Sequence, residues 1–326
     1  MSVPGVVVLD GTHLRSLHVS LPVADVNFTG AQLLDLADSK ASDSLFGLSL
    51  PSTIKLAALT RMPAFDDATF RSTELTGDRA SKLLHDYLSA IADVLKDDPL
   101  VVSILDGNSL RLFLEDEDDF AMLAENLFTD LDTEDKGKIS KSEIRNALVH
   151  MGVDMGIPPF SEFPLLNEIL KKHGAEGEEE LGQAQFAELL QPILQEIADA
   201  LAEKHVVAIQ NIKIVNGSHV RKLLEDEKQM NDVMDKILLE KDSKKKDEGS
   251  AQIIRGFLEK HAKELGLPPS EGNEAAVLLY DSVFANMESS ENADELDTKF
   301  REQVKNILEN LAELLESNPV YCVTDN

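Results

Sequence analysis

A threefold internal repeat constrains this chain more than any other feature, because repeated units of this length imply repeated architecture. Three segments open alike: Val8-Leu9-Asp10-Gly11-Thr12-His13-Leu14-Arg15, Ile104-Leu105-Asp106-Gly107-Asn108-Ser109-Leu110-Arg111 and Ile214-Val215-Asn216-Gly217-Ser218-His219-Val220-Arg221. Three segments also close alike, each an apolar-periodic helix running into a short strand-like stretch. Ile91-Ala92-Asp93-Val94-Leu95 leads to Leu100-Val101-Val102, Ile197-Ala198-Asp199-Ala200-Leu201 to His205-Val206-Val207, and Leu311-Ala312-Glu313-Leu314-Leu315 to Pro319-Val320-Tyr321. The chain therefore reads as three copies of one unit, with boundaries at 1–100, 101–210 and 211–326. Thr12, Asn108 and Ser218 align and are expected to N-cap the helix that follows, since a side-chain oxygen there accepts an orphan amide of the first turn. The glycine before each eases a sharp turn into the helix. The second and third copies continue together as Glu115-Asp116-Glu117 and Glu225-Asp226-Glu227. The acidic run from Glu115 to Asp119 is expected to form a solvated helix face, because side chains at i and i+1 do not converge.

The chemistry lies in the second copy. Phe120, Leu123, Ala124, Leu127, Phe128 and Leu131 follow the i, i+3, i+4, i+7 spacing of an amphipathic helix, as do Ile144, Ala147, Leu148 and Met151. Between them lie twelve residues, Asp132 to Glu143. Helix, twelve-residue loop, helix is the plan of an EF-hand, in which alternate loop positions turn oxygens toward a calcium ion. Asp132 stands first and Glu134 third. The carbonyl of Lys138 is seventh, Ser140 ninth, and Glu143 twelfth, where a bidentate carboxylate is needed. These five residues are the expected metal ligands. Gly137 is sixth, where the turn wants a positive φ, and Ile139 eighth, where an apolar residue pairs with a partner loop. Lys136 departs from the pattern, because position five should offer an oxygen and lysine brings a cation. Binding at this loop is thus expected to be weak.

The other loops have lost more. In the partner of the second copy, near 173–186, Leu181 and Phe186 keep the apolar positions but Gln185 falls on the closing one. In the third copy, the loop from Asp242 to Ser250 carries Lys244-Lys245-Lys246, and its partner at 288–296 leads to Lys299 at the closing position. In the first copy, Leu45 to Thr53 is Ser-rich and apolar, and Arg79 takes the closing position of a loop that follows Asp66-Asp67.

With Asp106-Gly107-Asn108-Ser109, Glu115-Asp116-Glu117, Leu131 to Ile144 and Tyr280-Asp281-Ser282-Val283-Phe284, the chain resembles a family of small plant EF-hand proteins. These join an Asp-Gly-Ser-type strand-to-helix turn and an acidic Glu-Asp-Glu to two EF-hands. The resemblance covers the second and third copies well and the first faintly. It implies calcium-ion binding as the family activity.

The expected fold is all-α, made of tandem helix–loop–helix pairs with short β pieces between paired loops and at the repeat junctions. Sixty Asp plus Glu against 31 Lys plus Arg leave a net charge of −29, which repels phosphate backbones and anionic lipid. Nucleic acid and membrane are therefore excluded as partners, and calcium ion and a basic or amphipathic helix are favoured. One cysteine, Cys322, allows no internal disulfide and fits a reducing, cytoplasmic setting. Met1-Ser2-Val3-Pro4 lacks the basic and apolar run of a secretory signal. The chain carries no Gly-rich phosphate loop, zinc-type Cys/His spacing or nucleophile elbow, so an enzyme is not expected. Two readings stand: a weak calcium sensor or buffer, and a metal-independent helical scaffold that keeps the interaction groove. Eight methionines are too few for a Met-rich groove.

Overall fold

The computed structural model describes residues 5–17, 21, 27–62, 67–243, 249–285 and 297–324. Several stretches singled out in the sequence lie outside the described residues. They are Met1 to Pro4, Asp66, Lys244 to Lys246 of the third copy's first loop, and the partner loop at 288–296.

The chain is mostly helical, but it is not all-α. Among the described residues eight strands are formed: β1 (Val6–Leu9), β2 (Phe28–Thr29), β3 (Glu74–Leu75), β4 (Leu100–Leu105), β5 (Ile139–Ser140), β6 (Glu180–Leu181), β7 (Val206–Val215) and β8 (Val320–Val323). The junction strands β1, β4, β7 and β8 do not remain isolated β pieces but join in one sheet, in the order β1–β4–β7–β8. The reason is hydrogen-bond accounting. Runs such as Leu100-Val101-Val102-Ser103-Ile104-Leu105 are too apolar to stay in water, and their buried main-chain groups need partners that only another strand supplies.

Two compact units result. The first comprises 1–9, 16–88 and 101–210, and the second 10–15, 89–100 and 211–326. Strand β7 contributes Val206 to Gln210 to the first unit and Asn211 to Val215 to the second.

In the first unit the apolar residues of the second copy close into one core. Phe120, Leu123, Ala124, Leu127 and Phe128 of helix Glu117–Leu131 are buried there, with Ile144, Ala147, Leu148 and Met151 of helix Glu143–Met151, as their spacing predicts. Phe128 meets Phe186 of helix Gln183–Glu203 edge to face, with centroids 5.8 Å apart. The first copy's helix Gly30–Ser44 lies in the same unit. It is N-capped by Thr29, whose hydroxyl accepts from Gln32 N while Gln32 Oε1 accepts from Thr29 N. Strands β2 and β3 pair antiparallel, Phe28 opposite Leu75.

The second unit encloses the third copy's own core, centred on Tyr280, Phe300 and Leu311. Tyr280 is fully buried and donates its hydroxyl to the Pro268 carbonyl at 3.2 Å. Strand β8 pairs antiparallel with β7, Val215 opposite Val320 and Ile212 opposite Val323. Asp98 in this unit accepts from His219 Nε2 at 2.9 Å and lies 4.0 Å from Lys213 Nζ. The His219 hydrogen bond, aided by the charges of His219, Lys213 and Lys222, holds the Asp98 carboxyl below its ordinary value of 3.8 despite partial burial. A depressed carboxylate contributes stability that is complete above that ordinary value and is lost as pH falls through the folded one. Thermal melting between pH 5 and pH 2 is therefore expected to show an acid-side loss of stability that is shallower in Asp98→Asn. An unchanged slope would remove Asp98 from that account.

The repeated openings and closings meet in space. Gly11, Gly107 and Gly217 have φ of 82°, 81° and 81°. A Cβ on each would fall 2.3, 2.2 and 2.7 Å from the carbonyl oxygens of Ala92, Ala198 and Ala312 respectively. These are the alanines of the three closing motifs. The arginine four residues on ion-pairs with an acidic residue next to or near that alanine: Arg15 with Asp93, Arg111 with Asp199, and Arg221 with Glu313 and Glu316. The capping assignment is corrected here. Thr12, Asn108 and Ser218 are the first helical residues, and their amides donate to the side chains of Asp10, Asp106 and Asn216 at 2.9, 3.0 and 3.2 Å. The left-handed glycine lies between acceptor and donor, so the oxygen comes from two residues upstream.

Candidate metal centre

Helix Glu117–Leu131 delivers the chain to the loop. The acidic run ahead of it is a capping device as well as a solvated face: Asp116 breaks the helix there, and its Oδ1 accepts from Asp118 N and Asp119 N at 3.0 and 3.1 Å. Acidic residues fill the first turn, where the helix dipole favours them. The helix ends at Asp132, whose φ of −80° and ψ of 59° take it out of helical geometry. Its carboxylate folds back over the loop, Oδ1 accepting from Lys136 N at 2.9 Å and Oδ2 from Gly137 N at 2.6 Å. The Asp132 carbonyl also accepts from Asp135 N at 2.9 Å. Asp135 and Gly137 both lie in the left-handed region, with φ of 52° and 68°. The turn expected at the sixth loop position is thus present, and the first carboxylate organises it.

The loop leaves this turn through β5, which pairs antiparallel with β6, Ile139 opposite Leu181 and Ser140 opposite Glu180. Both apolar partners are buried. Main-chain bonds from Lys141 N to Glu179 O at 2.8 Å and from Ser142 N to Gly177 O at 3.2 Å extend the contact. Helix Glu143–Met151 then begins at the twelfth position.

The five expected ligands are near one another in sequence but engage separate partners. Asp132 serves its own loop amides. The Glu134 carboxylate ion-pairs with Lys136 Nζ, and both side chains are exposed. At Lys138 the expected donor is the main-chain carbonyl; the side-chain Nζ stands 3.6 Å from Glu180 Oε2. Ser140 Oγ donates to the Gly177 carbonyl at 2.9 Å and sits 2.7 Å from Ser142 Oγ. Glu143 Oε2 accepts from Asn146 Nδ2 at 2.7 Å. Among the described residues, no three His, Cys, Asp or Glu side chains gather as a cation cage would require.

Asn146, Ser142 and the Gly177 carbonyl were not anticipated as partners. Asn146 could have been found, because it lies three residues from Glu143 on one helix face. Gly177 could not, since it comes from the other loop. Gln185, expected at the closing position of that loop, instead caps its own helix, Oε1 accepting from Gly182 N at 3.1 Å.

Lysines distribute positive charge over the paired loops. Lys141 pairs with Glu179 and lowers the pKa of that carboxyl, while Lys136 pairs with Glu134 and Lys138 with Glu180. The Glu134 hydrogen bond and charge, followed by the charges of Glu180 and Asp132, push the Lys136 ammonium above its ordinary pKa. The donor set of the loop is nevertheless all oxygen: two carboxylates within three residues, a hydroxyl, a main-chain carbonyl and the Glu143 carboxylate. Hard oxygen donors without nitrogen or sulfur suit calcium and not zinc or copper. Comparison with protein-family models, curated proteins and solved structures gave no match to this chain.

Proposed function

We propose that this chain binds calcium ion weakly through the loop from Asp132 to Glu143, acting as a sensor or buffer in the cytoplasm without a catalytic role. The observation that supports this most is the backbone of the loop. It is wound by a first-position carboxylate, turned by left-handed Gly137 and tied at the eighth position to a second loop, between two helices that bury their facing sides. Asp132, Glu134, the Lys138 carbonyl, Ser140 and Glu143 would hold the ion. Glu143 would exchange Asn146, and Glu134 would exchange Lys136, for the metal. The described helices include none long and apolar enough to cross a membrane. A basic or amphipathic helix is the proposed partner, on the charge of −29.

A metal-independent scaffold is the competing reading. It draws support from the internal partners of Ser140 and Glu143 and from the lysines that pair with Glu134, Glu179 and Glu180. Calorimetry and circular dichroism of the full chain at up to millimolar calcium separate the two. Saturable heat and a helicity change are expected, and Glu143→Gln is expected to abolish both by removing the bidentate carboxylate. A flat titration of the wild-type chain would leave the scaffold reading standing alone.

A further inference from the structure

The first unit holds a cavity of about 480 Å³ between β4, β7, helix Asn108–Glu115 and the turn Val153–Met155. That volume lies within the range of about 300–1,000 Å³ used for small ligands. Its walls are mostly apolar, with Ile104, Leu105, Leu112, Phe113 and Val153 among them. Leu112 is 67% exposed although Leu110, two residues before it, is fully buried.

A short polar chain crosses this apolar surface. Gln210 Nε2 donates to Ser103 Oγ at 2.7 Å and reaches Asp154 Oδ1 at 3.4 Å. An ionised carboxylate only accepts, so the amide nitrogen must face Asp154 and Oε1 must face away. Ser103 is only 6% exposed, and its hydroxyl is engaged by the half-buried Gln210. Asp119 lines the same cavity. Neither Asp119 nor Asp154 has a Lys, Arg or His partner among the described residues, in contrast to Glu134, Glu179 and Glu180 at the paired loops, where lysines answer each carboxylate.

A partly apolar cavity edged by two exposed carboxylates that have no basic partner among the described residues, in a chain of net charge −29, repels anions and attracts cations. It does not suit a metal ion: the carboxylates are two, over half of the lining residues are apolar, and among the described residues no three metal-ligating side chains gather there. We propose that this cavity binds a small organic cation, a protonated primary amine on an apolar stem. The ammonium donates to Asp154, Asp119 adds to the field, and the stem lies on Leu112 and Phe113.

The probe is 2-phenylethylamine, protonated at neutral pH, titrated into the full chain by calorimetry and protein-detected NMR. Phenylacetate and 2-phenylethanol serve as matched anionic and neutral controls. Saturable binding of the amine is expected, with phenylacetate at least about tenfold weaker, since a charge-assisted hydrogen bond is replaced by repulsion. Asp154→Asn is expected to weaken the amine about tenfold. Leu112→Lys, at an exposed position the fold does not depend on, places a like charge at the mouth and should do the same. Glu143→Gln should bind the amine as the wild type does, so this proposal and the calcium reading fail separately. The proposal is overturned if the amine shows no saturable binding, if phenylacetate matches it, or if Leu112→Lys leaves it unchanged.

Discussion

Gly107→Ala is expected to destabilise the first unit by about 2–5 kcal/mol, a large part of the roughly 5–15 kcal/mol that holds an ordinary domain together. Two costs add. The residue sits at φ 81°, where a Cβ meets the following carbonyl at about 1–2 kcal/mol. The new methyl would also stand 2.2 Å from the Ala198 carbonyl oxygen and 2.9 Å from its carbon, in the middle of helix Gln183–Glu203. That obstacle is backbone, not the flexible end of a side chain, so relieving it moves a helix that carries much of the core. Overpacking of this kind costs about 1–3 kcal/mol.

Gly137→Ala is the control. It has φ 68°, but nothing lies within 4 Å of its ideal Cβ, so only the conformational cost of about 1–2 kcal/mol remains. Denaturant melting of the two variants beside the wild type distinguishes them. Equal losses would mean that the close approach of the repeated Gly and Ala motifs is not what holds the opening helix down.

Lys136→Asp is expected to raise calcium affinity by one to two decades. An ammonium some ~8 Å from a dication in a wet site costs roughly 1–3 kcal/mol, and about 1.4 kcal/mol is a factor of ten. Its removal also frees Glu134, which now pairs with Lys136, and the aspartate adds an oxygen at the fifth position. Lys136→Ala separates these effects, because it deletes the charge without supplying a ligand and should recover only part of the gain. The variant should unfold no differently without calcium, since Lys136 and Glu134 are both exposed and such pairs contribute little. A titration that Lys136→Asp leaves where the wild type is, or that survives Glu143→Gln in the Lys136→Asp background, would remove loop 132–143 as the ion's location.

The parts of this protein that could be read residue by residue are those whose causes are local. The spacing of Phe120 to Leu131 and of Ile144 to Met151 produces one buried face on each helix because 3.6 residues per turn is a property of the backbone itself. Gly137 marks the turn because left-handed φ is cheap only without a Cβ. Ile139 marks the bridge because an apolar residue amid charged loop positions needs somewhere to go, and Leu181 supplies it. Even the repeat was visible, as three openings and three closings.

What the repeat accomplishes was not visible. That Gly107 is pressed against Ala198, or Gly11 against Ala92, depends on segments about eighty to ninety residues apart coming together, and sequence spacing does not encode which helix a glycine will face. The same limit applies to β1, β4, β7 and β8. Leu100 to Val102, His205 to Val207 and Pro319 to Tyr321 read as short strand-like stretches, and only pairing across the chain joined them with Val6–Leu9 in a sheet and moved the fold out of the all-α class. It applies most sharply at the loop. Ser140 and Glu143 stand at ligand positions in the sequence, yet the directions of their side chains were decided by Gly177 and Asn146, competing partners that tertiary contact and helix geometry brought within hydrogen-bond reach.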